Sequence, residues 1–196
     1  MSPPAHYALT EILIILSSIY SIFIFKERKN YFAIVGVSLI GIAATIGAVR
    51  FGLSSNTLIV QLNKITGIYA GLICIGLVSI QMAYNLGWKI IYKILMCALL
   101  ISLLAGFIFP KLIMFILILA WSAISILIAM DYPEKIMIKR IFRGFLMSIL
   151  LIGFLTARKN GILADYFGPS ISFHIYHIII AVWIYSTLYL TKKPIN

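Results

Sequence analysis

Long apolar runs alternate with short polar breaks along this chain, and no break is long enough to hold a soluble domain. Seven runs are long enough to cross a bilayer as a helix, which takes about 20 residues. They lie near 8–25, 31–49, 66–86, 90–109, 112–130, 138–156 and 170–190. Only Leu86, Gly87, Trp88 and Lys89 part the third from the fourth. No stretch alternates polar and apolar residues as the strands of a membrane barrel do. The pattern predicts an all-α integral membrane protein, one seven-transmembrane-helix bundle over residues 1–196.

Composition strengthens this reading. The chain is 63% hydrophobic and 11% charged, with a mean hydropathy of +1.10, whereas a soluble domain is about half apolar and roughly a quarter charged. A net charge of +11 would suit a nucleic-acid binder. The basic residues, however, form short clusters between apolar spans, as topology signals do. Membrane lipids, not nucleic acid, are the expected partners.

Eleven Lys and Arg residues would lie on one side of the membrane and five on the other, the five being Arg50, Lys64, Lys111, Arg158 and Lys159. The excess marks the cytoplasmic side, so the N-terminus is expected outside and the C-terminus in the cytoplasm. The first span has no basic residue before it and is closed by "KERKN", so it reads as a helix and not as a cleaved signal peptide. The short chain and its lysine- and isoleucine-rich composition suit a bacterial inner membrane.

Smaller signals fit the same picture. Cys74 and Cys97 fall inside spans and read as small buried apolar residues. Gly67 and Gly71, like Ala44 and Ala48, are spaced to let helix backbones approach closely. Trp88, Tyr92, Tyr185 and Tyr189 read as interfacial anchors. No internal repeat is evident, which argues against transporters built from duplicated halves.

Candidate chemistry is sparse. Of five acidic residues, Glu27, Asp131 and Glu134 fall in basic cytoplasmic loops as solvated charges. Glu11 sits at the outer end of the first helix, where an ionisable group costs about 2.5–3.5 kcal/mol and needs a partner. Arg50, Asn63, Lys64, Asp165, His174 and His177 are expected at the same depth.

Two arrangements follow. In the first, Glu11 pairs with Arg50 and clamps helices 1 and 2, while the histidines hydrogen-bond at the interface. In the second, His174 and His177, three residues apart on one helix face, join Glu11 as three ligands of a zinc-type site with an open position for water. His6, in the short N-terminal segment, and Asp165, in the loop before helix 7, are the other candidate third ligands. The first arrangement is preferred, because the Arg50 guanidinium repels a divalent ion and suits a carboxylate. Ser17, Ser18, Ser21, Ser122 and Ser125 lack an acid–base partner and are expected to bond backbone carbonyls. Ser170 and Ser172 are expected to cap helix 7. The basic, apolar stretch "DYPEKIMIKRIFRG" reads as a positive-inside signal.

The stretches "LTEILIILSSIYSIF" in helix 1, "IGAVRFG" ending helix 2 and "FHIYHIIIAVWIY" in helix 7 resemble the alkaline ceramidase-like superfamily, which includes the adiponectin/progestin receptors. The resemblance implies the seven-helix fold. In catalytic members it implies a zinc, held by one histidine of helix 2 and two of helix 7, that activates water to cleave an amide with help from a serine and an aspartate. His174 and His177 would be the helix 7 pair, one residue closer than usual. Arg50 stands where the helix 2 histidine is expected and Ile46 where the serine is, and no aspartate lies between helices 2 and 3.

Three functions are therefore expected in descending order. The first is a non-enzymatic or degenerate protein that binds a lipid, small ligand or partner at the polar layer of helices 1, 2 and 7. The second is a metal-dependent intramembrane hydrolase of a lipid amide. The third is a small transporter or channel with Glu11 and the histidines as relay groups.

Overall fold

A computed structural model describes residues 5–53, 56–108, 112–157 and 161–193. The chain is all-helical, with no strand among these residues. Its helices are α1 (Tyr7–Glu27), α2 (Tyr31–Gly52), α3 (Thr57–Asn85), α4 (Lys89–Ile108), α5 (Leu112–Met130), α6 (Met137–Thr156) and α7 (Ile162–Leu190). Lys111, Arg158 and Lys159, which enter the charge count, lie outside the described residues.

Six of the helices are long and apolar enough to cross a membrane. The exception is α6, whose first two turns carry Lys139, Arg140 and Arg143. Its uncharged part begins at Gly144 and covers about 20 Å at 1.5 Å per residue, short of the ~30 Å hydrocarbon thickness. Lys139 and Arg140 are exposed there, where long basic side chains suit the headgroup level, whereas Arg143 is buried.

Packing runs from α1 to α2, α2 to α3, α3 to α5, α5 to α6, α6 to α7, and α7 back to α1. These contacts close a ring of six helices. The fourth helix stands outside the ring against α3, with a light contact to α5. One stripe of α4 is buried (Leu95, Leu99, Ser102 and Gly106), and the Trp121 Nε1–H of α5 reaches the Ser102 hydroxyl at 3.1 Å. Beyond Lys89 and Lys93 in its first turns, most of the rest of α4 is exposed apolar surface, as expected of a helix with lipid on most sides.

Small residues do bring helices together, but not all of those expected. A Cβ on Gly36 would lie 3.1 Å from the Cys74 Cα, and one on Gly41 3.1 Å from the Ser18 Cβ, so α2 touches α3 and α1 there almost backbone to backbone. Gly67 and Gly71 behave differently, with nothing within 4 Å of an added Cβ. They leave a gap where a contact was expected. Both cysteines are free; Cys74 is buried as expected, whereas Cys97 is exposed on α4.

Two helix starts differ from the sequence pattern. The third helix begins at Thr57, not near 66, because Asn56 caps it by accepting the Ile59 N–H at 2.9 Å. Gln61, Asn63 and Lys64 are therefore helical. The seventh begins at Ile162 and kinks at Gly168, which has φ 82° and ψ 159° ahead of Pro169. The straight run after the kink matches the expected span. The two serines expected to cap it reach other segments: Ser170 meets His6 at 3.1 Å, and the Ser172 hydroxyl donates to the Ala157 carbonyl at 2.8 Å.

That backbone region is accessible to glycine and strained by roughly 1–3 kcal/mol for other residues. Gly168→Ala is expected to lower the thermal midpoint in detergent clearly. Gly67→Ala, in helical backbone with free space, should leave the midpoint unchanged or raise it.

Candidate functional site

The bundle end that carries the start of α1 gathers the three histidines. Tyr7, Thr10 and Glu11 recur at helical spacing on α1 and turn toward α7 and α2. The Tyr7 ring stacks on Phe173 at 4.0 Å and meets Phe51 edge-on at 5.4 Å. Phe173 in turn stacks on the His177 ring at 3.9 Å. This aromatic group fixes His177 from one side.

Hydrogen bonds fix it from the others. Its Nδ1 lies 2.8 Å from the Phe173 carbonyl one turn back, and its Nε2 lies 3.3 Å from the Glu11 Oε1. A carbonyl only accepts, so Nδ1 carries a proton. The Nε2 side of the ring is thereby left facing the Glu11 carboxyl. Both side chains are shielded, Glu11 being 6% and His177 12% exposed.

Gly47 makes this possible. A Cβ there would stand 2.6 Å from the Glu11 carboxyl carbon, so α2 offers the carboxyl a notch. The expected Glu11–Arg50 ion pair is not formed; among the described residues the ion-pair partner of Glu11 is His177. Arg50 donates instead to the Asn63 side-chain oxygen at 2.8 Å and lies over the Phe51 ring at 4.9 Å. Its Nε is buried without a hydrogen-bond partner.

His174 answers to other groups. Its Nδ1 is 3.2 Å from the Thr10 hydroxyl, and its ring lies 5.1 Å from that of His6. His6 is thus fastened to the start of α7 through Ser170. Asp165 is exposed on the turn before the kink and forms no ion pair among the described residues. The structure brings Glu11 and His177 together and leaves His174 beside them on a separate set of bonds.

The zinc site implied by the resemblance needs three converging ligands. Among the described residues no three His, Cys, Asp or Glu side chains converge in that way. Cationic Arg50 stands on the same cavity as Glu11 and His177. The side chains as arranged do not fit a three-ligand zinc centre.

Removal of His177 should leave a buried carboxyl unpartnered. His177→Ala is expected to cost about 1–3 kcal/mol. Glu11→Gln keeps an N–H for the His177 Nε2 and should cost under about 1 kcal/mol. Paired thermal melts in one detergent check the order; equal losses would show that the contact contributes little.

Below the polar end lies a cavity of about 630 Å³, within the roughly 300–1,000 Å³ range of small-molecule sites. It is open, not sealed, and every helix of the six-membered ring contributes to its wall. Glu11, Arg50, Asn63, Lys64 and His177 form its polar end. Apolar side chains of α2, α3, α5 and α6 line the remainder as far as Ile75 and Ser122. On α3 the lining positions include Lys64, Gly67, Ile68, Gly71 and Ile75, which mark one helix face. The two glycines keep that face without side chains and so create much of the space.

Sequence reasoning found the polar residues of this site but not the cavity. The available signal was the Gly67/Gly71 pair itself, one and two turns beyond Lys64 on an otherwise bulky helix. Comparison with family models, with curated proteins and with solved structures finds no match to this chain.

Proposed function

We propose that this polytopic membrane protein takes up a lipid-like amphiphile, with the ligand's polar group at the Glu11–Arg50–His177 end and its apolar part along α3. The observation that carries the reading is the cavity: apolar along its length, polar at one end, and kept open by Gly67 and Gly71. A membrane helix bundle gains from dispersion contacts between its helices, so a gap of this size inside the ring forgoes packing that a ligand would supply.

The charge distribution supports a membrane placement for the site. With eleven basic residues expected at the opposite end, the polar end faces away from the cytoplasm. A ligand would then enter from the outer leaflet or the outer aqueous phase. The mechanism is binding: the aromatic stack and the Glu11–His177 pair shape the polar end, and the glycine face receives a chain.

Native mass spectrometry of the protein released from lipid nanodiscs tests this. The reading expects a species with one retained amphiphile that outlasts loosely held lipid under increasing collisional activation. Loss of all lipid at low activation, from protein that stays folded, contradicts it.

A further inference from the structure

We infer that the ligand is a single-chain amphiphile with an anionic oxygen head, a phosphate or carboxylate, held by Arg50 and Lys64. This deepens the ligand-binding reading and rests on it.

The charge balance at the polar end points to an anion. Glu11 is the sole acidic residue on the cavity wall, and its carboxyl is engaged with His177 at 3.3 Å. The Glu11 carboxyl is thus turned to the imidazole and not to either cation of the cavity. Arg50 and Lys64 line the same end, and neither forms an ion pair among the described residues. Two positive charges thus face a mostly apolar cavity with no carboxylate bonded to either among the described residues. Arg50 donates to the neutral amide oxygen of Asn63 and lies over the Phe51 ring, and among the described residues its buried Nε has no acceptor. A guanidinium binds the planar edge of a carboxylate or phosphate through two parallel N–H bonds, and the ammonium one helix over acts as a second point charge.

Cavity length points to one chain. From Lys64 to Ile75 the lining runs eleven residues along α3, about 16 Å at 1.5 Å per residue. That is roughly half of the ~30 Å hydrocarbon thickness, the depth that a single leaflet's acyl chain occupies. An anionic head at Lys64 would therefore leave its tail in register with the surrounding leaflet. A free inorganic anion would use the cations but leave the apolar length empty.

The experiment uses the full chain in nanodiscs of zwitterionic phosphatidylcholine, with dodecyl phosphate, dodecanol and inorganic phosphate as probes. Retention is read by native mass spectrometry and the fold by thermal midpoint. Dodecyl phosphate is expected to be retained at least tenfold more tightly than dodecanol, and inorganic phosphate not at all. Lys64→Gln, an exposed position that leaves packing intact, should reduce that preference severalfold, and Arg50→Gln should abolish it. Equal retention of dodecyl phosphate and dodecanol overturns the anionic head while leaving the amphiphile reading standing. Phosphate retained as tightly as dodecyl phosphate overturns the chain requirement. Retention of no probe by folded protein overturns both readings.

Discussion

Replacing Arg143 by methionine should destabilise this protein more than any other single change of a charged side chain. Arg143 is 1% exposed at the end of the bundle opposite the histidines. Its guanidinium donates to the Leu190 carbonyl and to that of Tyr189 at 3.5 Å, and it approaches Glu134 at 3.7 Å. It also lies 3.5 Å above the Tyr132 ring, whose phenol burial pushes up to about 12, so the ring is neutral at any physiological pH.

The importance of these bonds follows from where α7 ends. The last carbonyls of a helix have no partner within it. Here side chains from three other segments supply them: Arg28 reaches Leu188 at 2.5 Å, Arg143 reaches Tyr189 and Leu190, and Asn30 and Asn85 reach Thr191 at 3.1 and 2.6 Å. Gln81 extends the network, donating to Asn85 at 2.9 Å and accepting the Phe32 N–H at 3.1 Å. Methionine keeps the apolar stem but orphans the Leu190 carbonyl and removes the cation–ring contact with Tyr132; the Tyr189 carbonyl keeps the Lys192 N–H at 3.3 Å. The expected loss is about 3 kcal/mol, at the low end of the values for breaking a buried charged group's contacts. Arg140, 44% exposed beside Asp131, is the control, and Arg140→Met should cost less than about 1 kcal/mol. Thermal melts of the two variants check the difference; similar losses would mean that the buried network adds little.

Filling the cavity should have the opposite character: binding goes and the fold stays. Gly71→Leu puts a side chain where nothing lies within 4 Å of its Cβ, on the face that lines the cavity. Leucine is also the better helix former, by somewhat less than the ~0.8–1 kcal/mol that separates alanine from glycine, so the thermal midpoint should hold or rise. Retention of the amphiphile should fall at least tenfold. Gly67→Leu, one turn nearer Lys64, should act similarly, whereas Gly36→Leu should destroy the α2–α3 contact and lower the midpoint. A Gly71→Leu protein that is stable and retains ligand like the wild type would place binding elsewhere.

The seven helices were legible because apolar runs of bilayer length have few alternatives. Their ends were less so. Asn63 and Lys64 look like a loop in sequence, but they lie on a helix and line a cavity; the cue was Asn56, a favoured cap residue. The kink at Gly168 was marked by the Gly-Pro pair. The order of the ring, with α4 left outside, depends on helix-to-helix contacts that no hydropathy pattern encodes.

The partner of Glu11 illustrates the limit at the site. Depth alone placed Glu11, Arg50, Asn63 and His177 in one layer, and that grouping stands. Which of them pair depends on helix rotation: α2 turns Gly47 to the carboxyl and carries Arg50 round to Asn63. His174 and His177 share a broad face, yet the angle between them is enough to give each a different partner. The α7 network was missed because its members are single polar residues at the margins of separate spans, each unremarkable alone.

The most direct test of the cavity reading is an experimental structure of the full chain in lipid nanodiscs. The account predicts a continuous tube of density along Gly67 and Gly71, from the level of Lys64 and Arg50 down to Ile75, with the Glu11–His177 contact intact. A closed interior, with α5 packed on α3 across the two glycines and no density between them, would contradict it.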